Sequence, residues 1–212
     1  MLFRSNSTET LYQVARREFC YFLSTRTKFT GAQRAAQRYR GVVEEVGKTW
    51  HPQKIGLLFS VYVAETDEIA QAECEEAVFY FLKNCLKGHL RSKGRRLNNA
   101  PGGLTPQAYQ AFIENAPIGS KMLGDAETWE EGDAMGSIFA GSPETVFRRL
   151  WQFVEGAEIG KLLIQFHVGD LSKEKTMKSQ KLFAEKVLPR LREESARLYE
   201  KKFPQGVDAR RS

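Results

Sequence analysis

The sequence predicts an α/β fold built on a parallel sheet, and three observations carry that prediction. Three short, nearly continuous apolar runs suit strands that are covered on both faces. Amphipathic helical segments with recognisable start signals lie between the runs, and such alternation implies parallel strands joined by right-handed crossovers. One long irregular stretch, residues 88–141, interrupts the rhythm before a last helix–strand–helix unit.

The elements follow in order. Asn6-Ser7-Thr8-Glu9 reads as a capping box with Asn6 as N-cap, and Leu11, Val14 and Ala15 supply the apolar face behind it. Tyr21-Phe22-Leu23-Ser24 is a brief strand. A helix over 31–46 stops at Gly47, the residue type suited to the position just past a helix end. Residues 55–64 form the second strand, rich in β-branched and aromatic side chains. After Glu65, either Thr66 or Asp67 caps a third helix that carries Ile69, Ala72, Ala77, Val78 and Leu82.

The stretch 88–141 holds Pro101-Gly102-Gly103, Pro106, Pro117, Gly119 and Gly124, with short helices predicted at 106–115 and 127–131. An excursion of this length inside a βα series is expected to be a lid or an insertion. Ser142-Pro143-Glu144 starts the next helix, with Ser as N-cap and Pro at its first position. The third strand spans 161–168 and is stopped by Gly169-Asp170. The last helix, 174–202, places Leu182, Phe183, Val187 and Leu191 on one face, and Pro189 should kink it. A single domain over 1–212 is expected, with a disordered tail at 203–212.

Composition excludes several function classes. With 42% hydrophobic and 27% charged residues the chain has the make-up of an ordinary globular protein. Its longest apolar stretch, residues 55–64, falls far short of the roughly 20 residues a membrane helix needs, so a cytoplasmic protein without a membrane partner is expected. Cys20, Cys74 and Cys85 form no metal-ligand spacing, and the histidines are His51, His89 and His167 alone, so no metal site is expected. The net charge of +6 is densest at 87–96, but no aromatic residue interleaves that run. It reads as a solvated loop, and no nucleic-acid partner is expected.

Four stretches resemble the luciferase-like flavin-dependent monooxygenases. Gly56-Leu57-Leu58-Phe59-Ser60-Val61-Tyr62-Val63-Ala64-Glu65-Thr66-Asp67 is similar to that family's penultimate strand and the acidic helix start after it. Ala140-Gly141-Ser142-Pro143-Glu144-Thr145-Val146 resembles its Gly-Ser/Thr-Pro-Glu-x-Val turn. Leu162-Leu163-Ile164-Gln165-Phe166-His167-Val168-Gly169-Asp170 is similar to its final strand, and Leu182-Phe183-Ala184-Glu185-Lys186-Val187-Leu188-Pro189 to its closing helix. The four occur in the family's order, and the similarity runs over residues 5–192.

The resemblance implies a partial (β/α)8 TIM-type barrel. It comprises about the last three strands with flanking helices and a long insertion before the final βα unit. It implies an FMN-dependent monooxygenase that oxidises a small organic substrate with molecular oxygen through a flavin peroxide. Reduced FMN would come from a separate reductase. The family holds the FMN phosphate where Ser5, Asn6, Ser7 and Thr8 stand here; as a plain reading of the residues, these are equally a helix cap. Ser24, Gln165 and His167 would lie near the barrel mouth toward flavin or substrate, although His167 also suits a structural, hydrogen-bonded role. No catalytic residue is assigned.

The family's earlier strands have no counterpart here, and the apolar strand that precedes its phosphate loop has no room before Met1. A partial barrel exposes sheet edges and inner apolar faces. The alternative reading is therefore a non-catalytic fragment, either truncated or completed by a second chain or by homo-oligomerisation. On this reading the lone chain forms oligomers or aggregates and does not bind micromolar flavin.

Overall fold

The computed structural model describes residues 2–3, 8–23, 28–87, 126–136 and 138–202. Five strands form one parallel sheet: β1 (Leu2–Phe3), β2 (Cys20–Phe22), β3 (Ile55–Val63), β4 (Phe139–Gly141) and β5 (Lys161–Gln165). β1 pairs with β2, β2 with the start of β3, and β5 with the middle of β3, from Gly56↔Lys161 to Ser60↔Gln165. β4 joins the far end of β3, from Val61↔Phe139 to Val63↔Gly141. The described α-helices are α1 (Thr8–Arg16), α2 (Phe29–Glu45), α3 (Asp67–Tyr80), α4 (Trp129–Ala134), α5 (Pro143–Gly156), α6 (Lys173–Leu182) and α7 (Leu188–Lys202).

Most local signals act as expected. Gly47 sits at φ +74 just past α2, where only glycine is unstrained. Thr66 Oγ1 accepts the Ile69 N–H and Ser142 Oγ the Thr145 N–H, so these two residues cap α3 and α5. The kink expected at Pro189 takes the form of a π-helical turn, Phe183–Val187, that separates α6 from α7. Widening the turn relieves the clash between a proline ring and the carbonyl four residues earlier.

Two expectations need correction. Leu2–Phe3 forms a parallel strand beside Cys20–Tyr21, so the strand before the Ser5–Thr8 segment does have room. The final strand ends at Gln165 rather than 168, because its last partner on β3 is Ser60. Within 88–141, Ala126, Met135 and Ile138 are buried in an apolar cluster with α3. The helix expected at 127–131 starts at Trp129 behind the N-cap Thr128. Residues 88–125, with most of the basic run and the expected helix at 106–115, lie outside the described residues, as does 203–212.

Two cores divide the sheet. The larger one joins Leu57, Phe59, Val61 and Val63 of β3 to Tyr39 and Val43 of α2, Leu150 and Phe153 of α5, and Val187 and Leu191. Leu162 and Ile164 of β5 pack against the same cluster. The smaller core gathers Tyr62 and Ala64 with Ala70, Cys74 and Val78 of α3 and with Val168 and Leu171, which follow β5. At the other end of the strands Glu158 carries the structural load. Its carboxylate accepts from Trp50 Nε1 at 3.1 Å, from Lys202 Nζ at 3.1 Å and from Arg40 Nη1 at 3.4 Å. That end reads as scaffold, and the chemistry of parallel α/β sheets belongs at the strands' C-terminal ends.

Candidate functional site

β1, β2, β3 and β5 run in the same direction, and their C-terminal ends form a stepped rim: β1 and β2 end beside Ile55 and Gly56, β5 beside Ser60, and β3 runs on to Val63. Across the strands, from β1 to β5, the rim spans three strand spacings, about 14 Å. Three connections shape it. The first carries the chain from β3 through Ala64, Glu65 and Thr66 into α3. Asp67, the first residue of α3, does not cap its own helix but reaches across to the start of α5. Its Oδ1 accepts the Ser142 N–H at 2.6 Å and its Oδ2 the Thr145 hydroxyl at 2.9 Å. The Ser142 N–H holds the Asp67 carboxyl below its ordinary range, helped by the Thr145 hydroxyl. Gly141 makes this approach possible: at φ +153, a Cβ there would lie 2.7 Å from Asp67 Oδ1.

The second connection is the closure of α6 over the end of β3. Ser179 is fully buried, and its Oγ accepts the Val63 N–H at 2.8 Å, just beyond the point where β5 has ended. The adjacent charges clamp α6 to α3. Glu73 accepts from the buried Tyr62 hydroxyl at 2.9 Å and from Lys178 Nζ at 3.4 Å, while Lys178 also pairs with Glu65 at 3.1 Å. Lys175 Nζ donates to the Glu73 carbonyl at 2.8 Å. Burial raises the Tyr62 phenol above its ordinary range, with the bond to Glu73 adding to it, so the hydroxyl stays protonated and donates.

The third connection follows β5. Gly169, at φ +61, passes so close to α3 that a Cβ would lie 2.0 Å from the Ala77 carbonyl oxygen. This contact fixes the loop that carries His167. Gln165 is half-buried and donates through Nε2 to the His167 carbonyl at 3.0 Å, while the His167 side chain is exposed.

Below this rim the sheet shows an inner face opposite the larger core. Residues paired in register share a face, so Leu58 and Leu163 lie together, as do Ser60 and Gln165. The Phe22 ring lies on Gly56, where a Cβ would fall 2.5 Å from the ring. Phe22, Leu58 and Leu163 belong to neither core, and Leu163 is 47% exposed. An apolar wall with one amide at its upper end can hold a flat ring system and orient it by a single hydrogen bond.

Of the residues predicted from sequence, Gln165 and His167 stand together at the end of β5. Thr8 is the first residue of α1, at the opposite end of the rim. Ser5, Asn6, Ser7 and Ser24 lie outside the described residues. Sequence reasoning missed Phe22, Leu58 and Leu163 as a common face, and it missed the span of Asp67 to Ser142. The alternation Lys161-Leu162-Leu163-Ile164-Gln165 holds the signal for the former, since only Leu162 and Ile164 turn to the core.

No family model and no curated protein matches the sequence. Solved structures do match in fold. A monooxygenase, RslO1 from Streptomyces bottropensis, aligns over 90% of this chain and 47% of its own, with 16% identity and a TM-score of 0.59. The oxygenating constituent of 3,6-diketocamphane monooxygenase from Pseudomonas putida, solved in complex with FMN, aligns over 89% and 47%, with 20% identity and a TM-score of 0.60. EDTA monooxygenase from Chelativorans sp. BNC1 aligns over 91% and 44%, with 13% identity and a TM-score of 0.57. The chain thus spans about half the length of these proteins. Parallel strands joined by helices, in this order and over this span, give the chain the fold of one half of a luciferase-like (β/α)8 barrel.

Proposed function

We propose that this chain supplies part of the FMN site of a luciferase-like flavin-dependent monooxygenase acting on a small organic substrate. The observation that carries the reading is the inner face of the sheet, where Phe22, Leu58 and Leu163 form an apolar wall beneath Gln165. Such a wall suits the flat ring system of a flavin. The start of α1, a helix of nine residues at the far end of the same rim, suits the phosphate through the positive end of its dipole. Two of the solved structures that share the fold name FMN, one as a complex and one with a modified form.

Reduced FMN, delivered by a separate reductase, would supply the oxygen chemistry when bound. The chain's own contribution is binding and exclusion of water. Ser5, Asn6, Ser7 and Thr8 would hold the phosphate. Ser24, Gln165 and His167 would face the ring or the substrate, and the α3–α6 clamp through Glu73 and Lys178 would keep the mouth in shape.

The test is a titration of flavin fluorescence against the chain. Saturable quenching is expected for FMN, at flavin concentrations between micromolar and millimolar. Riboflavin should bind less well, and the preference should vanish when Ser5 and Ser7 become alanine. Equal binding of FMN and riboflavin would refute the phosphate anchor, and no quenching up to millimolar FMN would refute the reading as a whole.

A further inference from the structure

The strands β1, β2, β3 and β5 lie side by side, all parallel, with the larger core on one face. A (β/α)8 barrel closes with eight such strands and its helices outside. The four strands are half of that number, and the inner face they leave bears Phe22, Leu58 and Leu163 outside both cores.

Among the described residues the edge beside this face is unpaired as well. The Gly56 carbonyl accepts the Leu23 N–H, so the backbone polar groups of Gly56 face β2. Successive residues of a strand turn these groups to opposite sides, so Leu57 and Phe59 turn theirs to β5. Lys161, Leu163 and Gln165 return those bonds. The N–H and C=O groups of Leu162 and Ile164 therefore point outward, to a side where no strand pairs among the described residues. An unpaired edge beside the exposed Leu163 and the half-buried Phe22 and Leu58 is a template for another chain.

We propose that a second copy of this chain covers the edge and the inner face, with β5 of each copy beside β1 of the other in an eight-stranded, two-fold barrel. Strand direction favours this arrangement. A two-fold axis along the barrel keeps all eight strands parallel, whereas pairing β5 with β5 of the copy would be antiparallel and leave both inner faces open. Coverage fits it too, since the aligned span makes up 47% of each single-chain barrel that shares the fold, close to the one half that each copy would supply. In this assembly each copy supplies one wall of the barrel, and a site at the mouth is incomplete without the other. The inference rests on the strand count and the open face, and is independent of the flavin reading.

Light scattering on the size-exclusion eluate of the full chain tests it. A mass of twice 24.2 kDa is expected. Leu163→Lys should weaken dimerisation about thirtyfold or more, because two-fold symmetry puts the substituted position in the interface twice. Leu163 is exposed enough for the lysine to be tolerated in a folded chain, which circular dichroism would verify. A parent chain that elutes as a folded monomer at micromolar concentration would overturn the proposal, as would a dimer that Leu163→Lys leaves intact. The geometry has its own test in Leu163→Cys on a Cys85→Ser background. The two-fold barrel sets the two substituted positions across the lumen from each other, so no disulfide-linked dimer should form under oxidation; one that forms readily overturns the arrangement. Monomeric chains that still prefer FMN to riboflavin would separate failure of this proposal from failure of the proposed function.

Discussion

Replacing Ser179 by alanine removes one hydroxyl from the fold and tests how the rim is held. Ser179 and Val63 are both fully buried, and the 2.8 Å bond between Oγ and the Val63 N–H is made where β5 no longer runs alongside β3. An alanine leaves the Val63 N–H buried without this acceptor. Losing a hydrogen bond and stranding its donor costs about 1–3 kcal/mol. Alanine's better helix propensity in α6 returns at most about 0.5 kcal/mol. The expected net loss is therefore about 1–2 kcal/mol. In a chain of this size that corresponds to a melting temperature lower by about 2–8 °C. Urea unfolding at fixed protein concentration is the assay, because any self-association makes apparent stability concentration-dependent. The midpoint should fall with the slope unchanged, which assigns the effect to the native state. A variant as stable as the parent would refute the reasoning, for it would mean that Val63 finds another acceptor and that Ser179 does not fasten α6 to the sheet.

Gly169→Ala combines a left-handed backbone with a Cβ aimed at the Ala77 carbonyl, and is expected to cost about 2–5 kcal/mol in a thermal or urea melt; a loss below about 1 kcal/mol would show that the loop after β5 is free to move off α3. Asp67 gives the fold an acid limb. Because its folded-state carboxyl lies below the ordinary value, its contribution is complete above about pH 4 and is lost as pH falls through the lowered folded value. Asp67→Asn, which keeps an oxygen for the Ser142 N–H, should flatten the fall in stability below pH 4; an unchanged acid limb would assign that fall to other carboxylates.

What could be read from the sequence depended on how far apart the cooperating residues are. Caps and stops act within four residues, and Thr66, Ser142 and Gly47 were therefore legible, each doing in the fold what its type and position imply. Residues 55–63 were legible as a strand but not as a strand with two different faces. A parallel strand under helices is apolar on both sides, so Leu58, which stays outside the cores, cannot be told by type from Leu57, which is buried in one. Only β5, with Lys161 and Gln165 on the face of Leu163, carries an alternation that separates inside from outside. Asp67 was legible as a residue at a helix start, yet its partners Ser142 and Thr145 lie 75 and 78 residues on, and no local pattern links them. The same holds for Ser179 and Val63, 116 residues apart. The rim is thus assembled by the bonds that the sequence conceals, while the strands that carry it are announced by local rules. The residues proposed to meet a ligand, Gln165 and His167, stand where the two kinds of information join: a strand end that periodicity locates, held by a glycine whose need for φ +61 shows only against Ala77 of another element.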